Sequence, residues 1–457
     1  MKAVFKIWAP VLLCAALLLT AGCSAVNFFS TDSLLRAPKL TGENAALQQA
    51  FENAVGQDTF LVGPLTGDYR SAYIRKDCNL DGAEEAVVFY SLQGAENTVR
   101  INLLENIAGE WRSVADLAGN GSEVYKVEFC NIDRDRDLEL AVTWTVSDTK
   151  RDKTLSLYQI DLSHTETADV VNPLASVQVY DYFVLDVDKD AQNELFYVYF
   201  DATEEKNGAY AKLLKYAEAD TVLFPVSEVK FDARASSLLA VRYDYAEGTY
   251  TFFADCAAGE NAYYTEVIRY DRETASLSLP VKAMFDDPVA QTRRSALLYA
   301  SDIDGDGQTE IPAERTMADS YVINYPETES TPLRYISWLR FTEDGFDPEE
   351  NDYANDVYGY TLRLDPVLGS LYIVSDYMTG EVQFRSRTVL NEEGEGAQDL
   401  LFTLAPEEKG EESRPESGNA AAAVRVTVTD LGKSMNITKK LVESLIETGA
   451  ARKGLER

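Results

Sequence analysis

Four short stretches of the chain carry oxygen ligands at one fixed spacing. In the stretch 302–310, carboxylates stand at positions 1, 3, 5 and 9, and Gly307 stands at position 6. Several oxygen ligands converging from one short loop are what a hard divalent cation such as calcium requires. The stretch is not an EF-hand, because Ala313 stands at position 12, where an EF-hand has its closing glutamate. The chemistry that this spacing predicts is cation binding.

The same spacing occurs three times upstream, and we name the four stretches loop 1 (77–85), loop 2 (131–139), loop 3 (186–194) and loop 4 (302–310). The predicted side-chain ligands are Asp77, Asn79, Asp81 and Glu85 in loop 1; Asn131, Asp133, Asp135 and Glu139 in loop 2; Asp186, Asp188, Asp190 and Glu194 in loop 3; and Asp302, Asp304, Asp306 and Glu310 in loop 4. We expect up to four structural Ca²⁺ sites with a weak Kd, on the order of 10⁻⁴–10⁻³ M, as in extracellular modules. The alternative is that these residues only form good hairpin turns.

Position 6 of each loop separates the four stretches further. Gly82 and Gly307 occupy it in loops 1 and 4, whereas Arg136 and Ala191 occupy it in loops 2 and 3. A left-handed conformation there costs an L-residue about 1–2 kcal/mol. The match is therefore best in loop 4, good in loop 1 and weaker in loops 2 and 3.

The spacing of the loops predicts a repeated β unit. Their first residues are separated by 54, 55 and 116 residues, and the last interval is about two units long. One unit without ligands is therefore expected in the middle, beginning with a hairpin at 242–253. The second unit is expected to contain four strands, at 123–129, 140–146, 154–161 and 168–177. Four strands per repeat of this length are typical of a β-propeller blade.

The predicted fold class is all-β, a propeller with six visible blades between about residues 68 and 405. The sixth is marked by a hairpin-like string at 363–374, and a seventh blade could close the ring. We expect a short helix at 41–55 before the propeller, a charged linker at 406–419, and a strand at 424–429. A helix capped by Thr438 is expected to follow and to dock on the propeller through its apolar residues Leu441, Val442, Leu445 and Ile446.

The first 22 residues have the features of a secretory signal, with Lys2 and Lys6 before an apolar run. The sequence Leu-Thr-Ala-Gly-Cys at 19–23 resembles the bacterial lipobox, which implies cleavage before Cys23 and lipidation of its thiol. We expect a tether at 23–40, a domain at 41–405, and an extracytoplasmic protein held on the outer face of the membrane by lipid alone. The alternative is an ordinary signal peptide. No second run reaches the roughly 20 apolar residues of a membrane span.

The formal net charge is −34, which is unfavourable for binding nucleic acid or anionic lipid headgroups. Cationic, neutral or metal-bridged partners fit this charge better. After loss of Cys14 and lipidation of Cys23, three cysteines remain, and we expect Cys78, Cys130 and Cys256 to be free thiols. A bridge between Cys78 and Cys130 is the alternative, because each adjoins a loop.

The loops resemble the FG-GAP and VCBS repeats of integrin-like propellers, in which a calcium loop joins the first two strands of a blade. The strings "LLRAPKLTGENAALQQAF" at 34–51, "GDYRSAYI" at 67–74 and "EEAVVFY" at 84–90 are similar to bacterial VCBS-repeat lipoproteins. The resemblance implies a calcium-containing propeller on the cell surface. It implies no activity.

Catalytic signatures are few in this sequence. It contains no Ser-His-Asp pattern, zinc cluster or glycine-rich phosphate loop, and we expect the lone His164 to be an exposed residue without a role. The leading hypothesis is a non-enzymatic module that binds a surface protein or a glycan. One alternative is a carbohydrate-active enzyme with a carboxylate pair in the propeller channel, for which Asp244 and Glu247 are free of metal ligation. Another is a structural envelope protein that assembles through residues 420–457.

Overall fold

The computed structural model describes residues 43–133, 137–145, 153–160, 173–203, 205–217, 222–246, 248–323, 330–355, 358–364, 371–376, 378–387, 399–406 and 424–448. The predicted signal sequence, Cys23, Asp135, His164, Glu247 and nearly all of the predicted linker lie outside these ranges.

The chain is mostly β, as the sequence predicts. The helices are α1 (Glu43–Val55), α2 (Pro280–Met284), α3 (Pro288–Thr292), α4 (Asp430–Ser434) and α5 (Lys439–Ser444). The strands are β1 (Thr59–Leu61), β2 (Tyr73–Lys76), β3 (Glu85–Leu92), β4 (Ala95–Ile107), β5 (Glu110–Ala118), β6 (Glu123–Cys130), β7 (Glu139–Thr145), β8 (Lys153–Tyr158), β9 (Ala175–Val179), β10 (Asp181–Leu185), β11 (Glu194–Asp201), β12 (Gly208–Ala217), β13 (Val222–Lys230), β14 (Ser237–Ala246), β15 (Thr249–Ala257), β16 (Tyr263–Asp271), β17 (Ser276–Ser278), β18 (Glu310–Ile323), β19 (Ser330–Thr342), β20 (Gly345–Asn355), β21 (Tyr360–Arg363), β22 (Leu371–Asp376), β23 (Val382–Ser386), β24 (Leu400–Pro406), β25 (Val424–Val428) and β26 (Ile446–Thr448). Within the described ranges, no helix has the length and apolar character needed to cross a membrane.

The strands form five sheets in chain order. The first sheet contains β1–β5, and the second, third and fourth are four-stranded antiparallel meanders of β6–β9, β10–β13 and β14–β17. The fifth sheet contains the nine strands β18–β26, in which a parallel pairing of β18 with β22 joins a group of four strands to a group of five. The predicted hairpin at 242–253 is confirmed, because Arg242 on β14 is paired with Phe253 on β15.

The strands of one sheet differ in burial. We count β2, β6, β10 and β14 as the first strands of their units, so that β3, β7, β11 and β15 are the second strands. Every residue of β7 is buried, and all but the last residue of β3 are buried. The fourth strand of the third sheet, β13, is mostly exposed or half-buried instead. A strand buried on both faces is expected to be a continuous apolar run rather than an alternating one, which the sequences of β3 and β7 show. The second strands therefore lie between neighbouring sheets.

Each sheet shares a hydrophobic core with the next. Val87 and Trp144 belong to the core between the first and second sheets, and Leu155 and Leu195 to that between the second and third. The rings of Phe196 and Phe252 stack 3.7 Å apart between the third and fourth sheets. A smaller cluster with Phe253 and Ile311 joins the fourth sheet to the fifth. Successive sheets thus pack face to face, and this packing fixes the positions of their loops relative to one another.

The predicted N-terminal helix is confirmed as α1, and it packs on the first sheet. Leu47 and Phe51 are buried there, and the ring of Phe51 lies edge-on to Tyr90 at 5.2 Å. Their spacing of four residues places both on one face of the helix, so this face covers the first sheet.

The C-terminal segment is part of the fifth sheet rather than an appendage. Strand β25 pairs with β24, and β26 pairs with β21. Thr438 caps α5 as predicted, accepting a hydrogen bond from the backbone N–H of Leu441 at 3.1 Å. Val442 is buried in the core of this sheet, which confirms that the segment docks on its own chain. Ile446 belongs to β26 and not to the helix.

The hairpin predicted at 363–374 is wrong, and the strand predicted at 168–177 is confirmed only in part, since residues 168–172 lie outside the described ranges. Residues 363–374 do not form a hairpin, because β21 pairs with β20 and β26 whereas β22 pairs with β18 and β23. The strand predicted at 168–177 is observed as β9, at 175–179. The all-β class is confirmed. Closure of a ring and the number of six blades stay predictions.

Candidate cation loops and a tyrosine-lined cavity

The four loops occupy equivalent places in successive units. Loop 1 joins β2 to β3, loop 2 joins β6 to β7, and loop 3 joins β10 to β11, so each connects the first two strands of a meander. Loop 4 precedes β18 and is closed by a bridge between Ser301 and Glu310. All four loops therefore lead into the buried second strand of a unit or its equivalent.

The closing glutamate at position 9 is fixed in the same way in every loop. The four side chains are 0–2% exposed. One carboxylate oxygen of each accepts a hydrogen bond from the backbone N–H at position 2: Cys78 to Glu85 at 2.8 Å, Ile132 to Glu139 at 2.7 Å, Val187 to Glu194 at 3.0 Å and Ile303 to Glu310 at 3.0 Å. This glutamate closes the loop whether or not a metal is bound.

The acidic residues at positions 1, 3 and 5 accept hydrogen bonds from the loop backbone. In loop 4, Asp302 accepts from the N–H of Gly307 at 2.9 Å, Asp304 from that of Asp306 at 3.1 Å, and Asp306 from that of Gln308 at 2.8 Å. The corresponding bonds are present in loops 1 and 3. These bonds are also those of ordinary Asx turns, so they define the loop conformation without demonstrating a metal.

Positions 4 and 6 require a left-handed backbone. At position 6, φ is 95° for Gly82, 68° for Ala191 and 86° for Gly307. At position 4, Leu80 and Lys189 also have positive φ, of 55° and 61°. The strain predicted for Ala191 is therefore present, and a second left-handed position was missed because neither leucine nor lysine signals it.

Loops 3 and 4 bring carboxylates close together. Asp186, Asp188 and Glu194 each offer an oxygen within 4.8 Å of the others, and so do Asp302, Asp304 and Asp306. Burial raises the pKa of the carboxyl groups of Glu85, Glu194 and Glu310. A buried carboxylate in such a cluster favours either a cation or a proton. A cation is present in both loops as a basic side chain, Lys215 in loop 3 and Arg340 in loop 4.

Loops 2 and 3 each contact the loop of the preceding unit, and loop 4 contacts the hairpin of the preceding unit at Asp244. The backbone N–H of Leu138 in loop 2 donates to the carbonyl of Cys78 in loop 1 at 2.7 Å. The side-chain amide of Asn193 in loop 3 donates to the carbonyl of Asn131 in loop 2 at 2.7 Å. In both loops the residue that makes this contact stands at position 8. The loops therefore form a connected row on one side of the sheets, a feature that no local sequence pattern indicates.

A cavity of about 760 Å³ is lined by residues of β6, β8, β10 and β14 together with the segment before loop 4. Its polar and aromatic lining residues are Tyr125, Lys153, Tyr180, Asp181, Arg242 and Tyr299. The ammonium of Lys153 lies 4.3 Å from the ring centre of Tyr125 and 5.3 Å from that of Tyr180. Burial raises the pKa of Asp181, which Lys153 partly offsets. Sequence reasoning missed this site because its residues are dispersed over four units.

A second cavity of about 520 Å³ lies between loop 4 and the fourth sheet. Asp244, Glu343 and Asp344 line it, beside Arg269 and Arg340. Asp244, which the sequence leaves free of metal ligation, accepts hydrogen bonds from Thr309.

The described cysteines are free thiols. Burial raises the pKa of Cys78 to about 12, so this thiol is protonated at neutral pH and is a poor nucleophile.

Comparisons with known proteins do not assign the chain to a family. No family model matches the sequence, and no curated protein matches it. Among solved structures, Sqt1 of Saccharomyces cerevisiae is 9% identical, with 81% of this chain and 97% of that chain covered and a TM-score of 0.29. The exo-β-1,3-galactanase of Phanerochaete chrysosporium, solved with galactose, is 10% identical, with coverage of 72% and 78% and a TM-score of 0.25. Similarity at this level supports no conclusion about function.

Proposed function

We propose that the chain is a lipid-anchored, extracytoplasmic β-propeller of the FG-GAP or VCBS type that binds a glycan or a surface protein without catalysing a reaction. Its loops are the structural cation sites, and its ligand site is the tyrosine-lined cavity. The lipid anchor is the expected lipidation of Cys23.

The cavity is the observation that carries this proposal. Its volume of about 760 Å³ lies within the roughly 300–1,000 Å³ that is usual for small-ligand sites. Tyrosine rings supply large, rigid contact surfaces with a polar end, which suits the apolar face and hydroxyl edge of a sugar. Among the described lining residues Asp181 is the only carboxylate, whereas glycoside hydrolysis ordinarily needs two. The cavity therefore favours binding of a glycan over its cleavage.

The donor set of loop 1 fits a divalent cation. Asp77, Asn79, Asp81 and Glu85 would hold it with their side-chain oxygens, and the carbonyl of Ala83 could add a ligand. Within the described part of the chain, no lysine or arginine forms an ion pair with these three carboxylates. When bound, the ion would neutralise them and rigidify the connection between β2 and β3.

The C-terminal segment gives little support to the assembly hypothesis. Val442 and Leu445, whose apolar face was expected to dock on the propeller and would be needed for assembly with a partner, are buried against the fifth sheet of the same chain. That face is therefore not available to another molecule without undocking.

A binding screen tests the proposal. Soluble protein covering residues 24–457 would be applied to arrays of glycans and surface proteins, with the Lys153→Met variant as the cavity probe. Lys212→Met is the matched control, since Lys212 forms an ion pair with Glu228 away from the cavity. We expect a ligand whose affinity falls at least about tenfold in Lys153→Met, as for loss of a charged contact, and not in the control. Equal binding by both variants would exclude this cavity as the site.

Glycan hydrolysis is the second candidate, because three carboxylates line the cavity of about 520 Å³. The test is release of reducing ends from the glycans that bind. Activity that is lost in Asp344→Asn and in Glu343→Gln would favour the enzyme, whereas absence of hydrolysis across the bound glycans supports the binding module.

A further inference from the structure

The four loops differ in a residue that lies outside the loop itself. This residue lies on the next strand, directly opposite the closing glutamate. The antiparallel register pairs Arg340 with Glu310. Continuing the registers of the other three units by one residue places Glu105 opposite Glu85, Gln159 opposite Glu139 and Lys215 opposite Glu194. Cross-strand neighbours project on the same face of a sheet, and the side chains of Gln159, Lys215 and Arg340 contact their loops.

In loop 3 the ammonium group of Lys215 lies among the predicted ligands. Its nitrogen is 2.5 Å from a carboxylate oxygen of Asp188, 2.8 Å from one of Asp190 and 3.1 Å from one of Glu194. The lysine therefore contacts positions 3, 5 and 9 of the loop at once.

In loop 4 the guanidinium group of Arg340 contacts the same three positions. It lies 2.8 Å from Asp306, 3.4 Å from Glu310 and 4.0 Å from Asp304, and its other side faces Glu349 at 3.3 Å. Lysine and arginine thus place a positive charge at the same point of two loops from equivalent strands. Two chemically different side chains in one place argue that the charge itself is what the loops require.

Calcium needs about six to eight oxygen ligands at 2.3–2.6 Å. In loops 3 and 4 three of the predicted oxygens already bind a nitrogen cation, and a divalent ion at the same point would repel it. These two loops therefore do not fit a metal while their basic side chain is in place.

We infer that Lys215 and Arg340 are tethered cations that take the place of calcium in loops 3 and 4. Loop 2 has the neutral Gln159 at this position, whose amide donates to Asp133 at 2.9 Å. Loop 1 has a fifth oxygen side chain there, Glu105, and Arg112 lies 3.8 Å from it. The residue opposite the closing glutamate thus determines whether a loop can bind a metal ion. Metal is expected in loop 1 and not in loops 3 and 4. This inference rests on the proposed role of the loops as cation sites.

Calcium titration by calorimetry tests the inference on residues 24–457. The variants Lys215→Met and Arg340→Met remove one tethered cation each. Lys212→Met and Arg334→Met are the controls, since each removes the same charge from the same strand at an ion pair outside the loops. We expect each loop variant to bind about one more calcium ion than the wild type, and each control to bind the wild-type number. The unfolding temperature of each loop variant in chelator should fall below the wild-type value and should rise when calcium is added.

Terbium luminescence provides a second readout at the same loops. A wild-type protein that binds metal in loops 3 and 4, or a loop variant that gains no ion, would overturn the inference. If Lys215→Met does not fold, Lys215→Gln keeps a hydrogen-bond donor without the charge and must then gain the ion. A wild type without any calcium site, together with variants that gain one, would contradict metal binding in loop 1 while supporting the tethered cations.

Discussion

Asp244 on β14 accepts two hydrogen bonds from Thr309 in loop 4, one from the backbone N–H at 2.7 Å and one from the hydroxyl at 2.6 Å. Asp244 belongs to the unit that has no cation loop, and Thr309 stands at position 8, the position that contacts the preceding unit in loops 2 and 3. The aspartate therefore continues the row of loop contacts where the ligands are missing.

Removing this contact should loosen the junction between the fourth and fifth sheets. We expect Asp244→Ala to lower the free energy of unfolding by about 1–3 kcal/mol, because it leaves a buried N–H without its acceptor. A double-mutant cycle with Thr309→Val, followed by urea unfolding, should give a coupling energy above about 0.5 kcal/mol. Strictly additive effects would show that the two residues act independently.

The left-handed backbone at position 6 can be tested by exchanging residue types between two loops. Ala191 has a φ of 68° and Gly307 has a φ of 86°. We expect Ala191→Gly to stabilise the protein and Gly307→Ala to destabilise it, each by about 1 kcal/mol. A methyl group at Gly307 would meet no atom within 4 Å, so the effect would be conformational. Changes of the same sign in both variants, measured by thermal unfolding, would contradict this explanation.

Asp255 and Arg294 form an ion pair of 2.7 Å with both side chains almost fully buried. We expect Asp255→Ala to lower the free energy of unfolding by about 3–5 kcal/mol, because an unpaired guanidinium would stay buried. The control is Glu443→Ala, which breaks the half-exposed pair with Lys439 and should cost less than about 1 kcal/mol. Similar losses in the two variants in urea would mean that burial of the pair has no special cost.

Glu266 should make stability depend on pH. Burial raises the pKa of this carboxyl group to about 7, from 4.5 in the unfolded chain. The folded state therefore keeps its proton at a higher pH than the unfolded state does, and stability is lost as the pH rises from about 4.5 to 7. Glu266→Gln mimics the protonated form and should remove up to about 3 kcal/mol of this loss.

The measurement is urea unfolding between pH 4.5 and 8, with the exposed Glu260→Gln as control. The difference between wild type and Glu266→Gln should grow with pH through this range, whereas the control should follow the wild type. A constant difference would show that the pKa of Glu266 is the same in the folded and unfolded states.

Local patterns predicted the loops, the hairpin at Arg242–Phe253, the N-terminal helix and the C-terminal helix with its Thr438 cap, because each depends on residues close in sequence. They failed at residues 363–374, where two strand-like runs pair with different partners and the alternation of side chains does not specify which. The tethered cations were also missed, although Glu105, Gln159 and Lys215 follow their closing glutamates by 20, 20 and 21 residues. That signal was present, but interpreting it requires the strand register.

The thermal unfolding of residues 24–457 in calcium and after chelation tests most directly whether the loops are cation sites. With a Kd on the order of 10⁻⁴–10⁻³ M, about 10 mM calcium should stabilise the folded state by roughly 1–3 kcal/mol per occupied loop. The unfolding temperature should therefore rise by a few degrees in calcium, and the Glu85→Gln variant in loop 1 should lose most of this rise. An unfolding temperature that is the same with calcium and with chelator would contradict the account.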